Sequence, residues 1–357
     1  MVRWGKAASG RQRWRCGACG ATRTFRIDNA AKRLGEFLGW LLGRGRMADM
    51  PGGGRTFRRR TAELWALWPL PPKVEARCDA VFVDAIRLEE GAWVLIACTD
   101  EHVLGWHLAR RESTRSYRAL LSRIAEPGMA VSDGGSGFPS AMRAEWPGAD
   151  LQRCLVHVFR QIERATTKRP RLDAGRELRE LMFLLVGVAT GPEARRWEEL
   201  FGEWLARWEG FLAETTTGAD GRRVPAHRGL ARAARSLKKL VGQGSLFAFL
   251  GGEGPLPSTN NRIEGGVNAR LRAMLRDHRG MSLERRAKAV FWWCYMHSPD
   301  PLPAAELLRA MPTDGDVAAA YRAMGSRERL TGSIPGWGDA LMWERLHPAS
   351  TDGNAWD

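Results

Sequence analysis

Residues 78–154 carry the pattern that most restricts the fold. Three short apolar runs follow one another: CDAVFVDAIRL, AWVLIACTD and HVLGWHLAR. Turn-like pieces separate them, so they read as consecutive strands. STRSYRALLSRIA then reads as a helix capped by Ser113 or Thr114. MAVSDGG reads as a fourth strand, FPSAMRAEW as a helix and ADLQRC as a fifth strand.

Three strands followed by alternating helix and strand is the order expected of a ribonuclease-H-like α/β fold, an expectation that rests on fold-level analogy as well as on pattern. Residues 155–250 are helical in character, with amphipathic spacing in ELRELMFLLVGVAT, EARRWEELFGEWLARWEGFLAETT and RGLARAARSLKKLVGQ. They read as a helical insertion. Trp197, Trp204 and Trp208 form a stripe along it, for which core packing is the first expectation and base stacking the second.

Within this frame two acids occupy unusual places. Asp84 lies in the apolar strand VFVDAIR, where a carboxylate is costly unless paired or bound to metal. Asp133 follows the fourth strand in VSDGGSGF, where glycines let the chain turn at the carboxyl edge of the sheet. In the expected fold, strands one and four are neighbours and bring these acids together. Glu264, in PSTNNRIEGGVNARLRAMLRDHRG, heads a late helix that can complete a triangle. Clustered carboxylates raise one another's pKa unless a cation neutralises them. Oxygen ligands suit Mg²⁺ or Mn²⁺, and two such ions about 4 Å apart serve both sides of a reacting phosphate. Arg262, Arg270 and Arg272 stand ready to hold a DNA strand. Each acid alone has a plainer reading: a hydrogen-bonded strand Asp, a turn-forming Asp and a first-turn helix acid.

Charge is unevenly distributed. The net charge is +15, yet residues 1–77 hold 17 Lys/Arg against 5 Asp/Glu. A basic module therefore precedes a nearly balanced body, as expected of nucleic-acid contact or, more plainly, of a solvated basic surface. In RWRCGACGATRTF, Cys16 and Cys19 form one zinc-ribbon-like knuckle, but structural zinc needs four ligands. Three explanations are open: a gene start placed too late, a degenerate ribbon without metal, or a distant His or Cys. The expectation is against zinc held by the chain as written.

Leu34, Phe37, Leu38, Leu41 and Leu42 mark a buried helical face. After a Gly-rich turn, RTFRRRTAELWALW reads as a helix with Arg55, Arg58, Arg59 and Arg60 in its first turns. This suggests a helix-turn-helix, with a basic helical hairpin as the plainer reading. PLPP at 69–72 marks a boundary. The expected segments are a partial ribbon (1–28), the helix-turn-helix (29–72), the first part of the catalytic core (76–160), the insertion (161–255), the final core helix (256–300) and a helical tail (301–357). No apolar run approaches the roughly 20 residues that span a bilayer, and no signal peptide stands out. Six cysteines in a chain this long do not make a disulfide framework. A cytoplasmic protein without a membrane partner is expected.

VFVDAIR, VSDGGSGF, CLVHVFRQI and STNNRIEGGVNARLR together resemble the DDE transposases of the Mutator superfamily, in its bacterial insertion-sequence branch. The resemblance implies that Asp84, Asp133 and Glu264 are a metal-binding catalytic triad. Cys154 and His157 match the family's Cys-x-x-His signature near the active site, and Asn260 belongs to the Thr-Asn-x-x-Glu-Gly motif. By spacing alone Cys154 and His157 are two ligands of a metal, but with no second pair in view packing or DNA contact is preferred. The resemblance further implies recognition of terminal inverted repeats, Mg²⁺-dependent cleavage of double-stranded DNA, strand transfer to target DNA, and at least a homodimer. Two alternatives remain: a non-catalytic DNA-binding protein derived from a transposase, and a structure-selective nuclease on the same fold.

Overall fold

The computed structural model describes residues 1–8, 10–24, 29–135, 137–252, 254, 256–323, 333–334 and 338–339. The chain divides into two compact units, Met1–Trp65 with Leu302–Met311, and Ala66–Pro301 with Pro312–Asp357.

In the first unit, β1 (Val2–Lys6), β2 (Gln12–Arg15) and β3 (Thr22–Thr24) form an antiparallel sheet in that order. Cys16 and Cys19 lie in the turn between β2 and β3. The turn is closed by Cys16 N–H donating to Ala21 O at 2.8 Å and Gly20 N–H to Cys16 O at 3.0 Å. Helix α1 (Ala30–Leu42) buries Leu34, Phe37, Trp40 and Leu41. Leu38 and Leu42 are only half-buried, so Trp40 takes the place the apolar spacing gave them. Its ring meets Phe57 edge-on at 5.6 Å, while Phe37 meets Trp65 at 5.0 Å. Helix α2 (Gly53–Thr61) corrects the sequence expectation at both ends. Gly52 and Gly53 both make the turn, with φ at 84° and 77°, a conformation that favours glycine. The helix nevertheless opens at Gly53, and Gly54 lies within its first turn. Beyond Thr61 the chain tightens into a 3₁₀ turn from Ala62, so the helix stops well short of Trp68.

The second unit is built on a five-stranded mixed sheet. Its strands are β4 (Ala80–Glu89), β5 (Ala92–Cys98), β6 (Val103–Ala109), β7 (Met129–Ser132) and β8 (Asp150–Arg153), in spatial order β6-β5-β4-β7-β8. The first three pair antiparallel, whereas β7 runs parallel to both β4 and β8. Alternation of side chains sends Val81, Val83, Leu95 and Ala97 to one face. There α3 (Thr114–Leu121) and α4 (Phe138–Glu145) cover them with Tyr117, Leu120, Phe138 and Met142. Ser113 is the cap of α3, accepting from Ser116 N–H at 3.2 Å.

After β8 the chain turns helical: α5 (Leu155–Thr166), α6 (Asp173–Gly187), α7 (Gly191–Ala213) and α8 (Arg228–Gly242). Thr190 and Glu193 make a reciprocal capping box at the start of α7. Trp197 and Trp204 are buried and donate to Leu181 O at 2.7 Å and Ala174 O at 3.0 Å, fastening α7 to α6. Trp208 is half-buried and donates to Glu177 Oε2 at 2.9 Å. A small hairpin of β9 (Thr215–Thr217) and β10 (Arg223–Pro225) interrupts the expected all-helical stretch. The β-branched threonines and the glycines between them disfavour helix there.

The chain then enters a π-helical turn, Arg262–Asn268, continuous with α9 (Ala269–Asp277), and ends its core with α10 (Leu283–Met296). The side of the sheet opposite α3 and α4 packs on α10, where Trp106 meets Phe291 at 6.2 Å. Lys288 of α10 is fully buried, with Nζ 2.6 Å from Asp314 Oδ1, and Trp68 Nε1 donates to the same carboxylate at 2.7 Å. These bonds fix the helix Asp314–Ala323 to the sheet unit. The expected helical tail lies outside the described residues beyond 323, save the short pairing of Ser333–Ile334 with Gly338–Asp339. Among the described residues no helix is long and apolar enough to cross a membrane.

Candidate active site

Register decides where the first two acids stand. Val83 of β4 pairs with Ser132 of β7 in the parallel ladder, and Asp84 and Asp133 are each the next residue. They therefore stand side by side, Asp84 in the middle of β4 and Asp133 just past the carboxyl end of the parallel strand β7. Asp84 continues within β4, its Oδ1 accepting from Ala85 N–H at 2.8 Å. Asp133 leaves its strand, its Oδ1 accepting from Gly135 N–H at 3.0 Å. Gly134 makes that exit possible, with φ at 92° and the Arg153 guanidinium occupying the place a β-carbon would take. A side chain there would strain the backbone and displace the Arg153 guanidinium. Arg153 Nη2 in turn donates to Asp133 O at 2.7 Å and pins the loop to β8.

Glu264 lies in the π-helical turn, not at the head of a regular α-helix. Ala269 N–H donates to Glu264 O, five residues back, which widens the turn. Glu264 Oε1 lies 3.0 Å from His157 Nδ1, without the direction of a hydrogen bond, and Oε2 lies 3.8 Å from Arg160 Nη1. Burial pushes the Asp84 carboxyl up to about 7, and the negative charges of Asp133, Glu264 and Glu112 add to the effect. The backbone bond from Ala85 opposes it. The three acids thus share one electrostatic neighbourhood.

Cys154 caps α5 and is fully buried, its Sγ accepting from Asn260 N–H at 3.2 Å. Burial pushes its thiol pKa up. Asn260 is fully buried too, its Nδ2 3.5 Å from Val83 O and its Oδ1 without a hydrogen bond. These contacts carry the Thr-Asn segment to the middle of β4, beside Asp84.

Two residues escaped the sequence reading. Asn268, fully buried, donates from Nδ2 to Asp84 Oδ2 at 2.8 Å. Its distance of four residues from Glu264, on the same helical face, is the signal that could have found it. Glu112 accepts from Tyr117 O–H at 2.6 Å and stands beside Gly135, next to the Asp133 loop. No sequence pattern singles it out.

The basic residues differ in availability. Arg262 and Arg270 border a cavity of about 320 Å³ beside the π-helical turn, and Arg262 Nε lies 3.4 Å from Asp100 Oδ1. Arg272 is exposed on α9. In the first unit Arg55, Arg58 and Arg59 are exposed, whereas Arg60 is engaged with Glu36 at 2.9 Å. Cys16 and Cys19 belong to no trio of metal-ligating groups among the described residues. Hydrogen bonds to the Cys16 sulfur, chiefly from the Cys19 backbone, lower its pKa.

Residues 90–211 match the family model for "Transposase, Mutator family". That segment carries the Mutator transposase domain. It contains Asp133, Cys154 and His157, while Asp84 and Glu264 lie outside it. The chain is also similar to a probable transposase for an insertion sequence element from Corynebacterium diphtheriae, 29% identical over 35% of this chain and 40% of the relative. A transposase for insertion sequence element IS905 from Lactococcus lactis is 24% identical over 38% of each chain. A transposase for insertion sequence element ISRM3 from Rhizobium meliloti is 24% identical over 36% of this chain and 39% of the relative. The matches span about two fifths of the length of these relatives.

Proposed function

We propose that the chain is the transposase of an insertion sequence, cutting and joining DNA through Asp84, Asp133 and Glu264. One observation carries this reading: two carboxylates stand side by side where β7 ends against the middle of the parallel strand β4, and the charge of a third, from a segment far along the chain, bears on the first of them. The strand order and the helical insertion support a ribonuclease-H-like catalytic core. The β2–β3 knuckle and helices α1 and α2 support a ribbon remnant and a helix-turn-helix that contacts terminal repeats.

The donor set fits a hard divalent cation. Asp84, Asp133 and Glu264 offer only oxygen, and burial, with the charge of the neighbouring acids added, drives the Asp84 carboxyl toward protonation, a cost that a cation offsets. Mg²⁺ or Mn²⁺ held there would supply charge stabilisation on a phosphate and an activated oxygen nucleophile. Asn268 holds Asp84 in its ionised orientation by donating to Oδ2. Arg262, Arg270 and Arg272, on the π-helical turn that carries Glu264 and on α9 after it, supply positive charge for the phosphates of double-stranded DNA. Action on two element ends calls for a homodimer or larger assembly.

A second reading is a DNA-binding derivative that no longer cuts. The position of Glu264 against His157 and Arg160 favours it, since those contacts compete with a metal for the carboxylate. One experiment separates the two. A plasmid carrying the gene with its flanking DNA is incubated with the full chain and Mg²⁺, beside Asp133→Asn. Cleavage by the wild type, reduced to background in the variant with DNA retention intact, is the expected result. Equal cleavage by both chains overturns the triad, and binding without cleavage by the wild type establishes the second reading.

A further inference from the structure

The acid shared between these contacts also belongs to a second cluster of different chemistry. Cys154 and His157 sit three residues apart on the first turn of α5, so their side chains share a face. Their ligand atoms and a carboxylate oxygen of Glu264 all lie within 4.8 Å of one another, the only such trio among the described residues. Ligands of one tetrahedral Zn²⁺, bound at about 2.0–2.3 Å, stand roughly 3.3–3.8 Å apart, so a small contraction closes the site. An independent feature points the same way. His157 Nδ1 is buried without a hydrogen bond, a state that costs free energy unless something else satisfies the atom.

We propose that Cys154, His157 and Glu264 form a binding site for a borderline-soft divalent cation, Zn²⁺ by its donor set. Sulfur and imidazole donors favour zinc over Mg²⁺, which takes oxygen ligands. Three protein ligands leave one position open, the arrangement of exchangeable rather than closed structural zinc sites. Glu264 has one side chain to give. When it serves zinc beside His157, it is withdrawn from Asp84 and Asp133. Zinc at this place therefore holds the DNA-cutting site incomplete. That consequence rests on the proposed transposase reading, whereas zinc binding does not.

The test uses the full chain carrying Cys16→Ser and Cys19→Ser, which removes the Cys-x-x-Cys thiols of the β2–β3 turn, with Co²⁺ as a spectroscopic stand-in for zinc. One equivalent of Co²⁺ gives a thiolate-to-metal charge-transfer band, and Zn²⁺ displaces it. Adding Cys154→Ser abolishes the band. His157→Ala and, as a milder change, Glu264→Gln each weaken Zn²⁺ affinity by about tenfold or more, measured against a chromophoric chelator. No band in the parent, or a band that survives Cys154→Ser with circular dichroism unchanged, overturns the proposal. Zinc affinity unaffected by both His157→Ala and Glu264→Gln overturns it as well. Cleavage assays with Mg²⁺ and added Zn²⁺ then test the consequence: zinc suppresses cutting in the parent at the concentration that fills the site. Failure of the parent to cut with Mg²⁺ alone strikes the transposase reading and leaves the zinc site standing.

Discussion

Asn268 donates from Nδ2 to Asp84 Oδ2 at 2.8 Å, joining the π-helical turn to the central strand of the sheet across 184 positions of sequence. Both groups are largely shielded from water, so the bond joins a buried amide to a carboxylate whose charge is costly there. The turn that presents Glu264 is thereby held to β4.

Removing this donor has a defined cost. Asn268→Ala lowers stability by about 1.5–3 kcal/mol, the range for a hydrogen bond to a charged group, read by urea denaturation at pH 8. At pH 5, with Asp84 protonated, the loss is smaller. Equal losses at both pH values would show that the bond does not involve the ionised carboxylate.

Asp84 also sets a pH dependence. Its pKa is raised from 3.8 to about 7 on folding, so between these values the folded chain holds the proton more tightly than the unfolded one. Its contribution to stability is complete below about pH 4 and is lost as pH rises through 7, by at most about 4 kcal/mol. His107, pushed down to about 4 by burial, acts in the opposite sense, gaining stability as pH rises toward 6.5. The difference between wild type and Asp84→Asn isolates the carboxyl. Stability of the variant relative to wild type rises from pH 4 to pH 8, and Mg²⁺ narrows the gap at pH 8. A pH-independent difference contradicts this.

Trp197 and Trp204 serve the core of the insertion. Trp197→Ala costs about 3–5 kcal/mol through the missing packing and removes the side-chain bond to Leu181 O. At low temperature, where the variant remains folded, its affinity for single-stranded DNA matches the wild type. A selective loss of DNA affinity with unchanged melting would return this ring to base stacking.

Arg58 and Arg59 project into solvent, whereas Arg60 spends its charge on Glu36. Arg58→Ala with Arg59→Ala flattens the dependence of log affinity on log salt by about one unit for each phosphate that is no longer neutralised. Arg60→Ala changes the slope less. The same slope in all three chains would remove α2 from the DNA interface.

The sheet was legible because its strands are nearly continuous apolar runs bounded by turn residues, a signal that requires no knowledge of partners. The Asp133 exit was legible for a similar reason, since Asp-Gly-Gly encodes its own geometry. At Gly52–Gly54 the same kind of signal misled. Glycine permits a turn but does not forbid a helix start: Gly52 and Gly53 keep left-handed φ values, while α2 opens at Gly53 and takes in Gly54. The Cys154–His157–Glu264 cluster was half hidden, because α5 shows its own pair while the third ligand arrives from a turn more than a hundred residues away.

By itself the sequence determined the order of the elements, the acids within apolar surroundings and the unequal spread of charge, all written in local residue type and period. Tertiary structure alone decided that Asn268 meets Asp84, that Glu112 joins the acidic neighbourhood, and that Glu264 faces His157. Such contacts depend on how far a turn is wound and in which register strands pair, and those are settled only when the whole core packs.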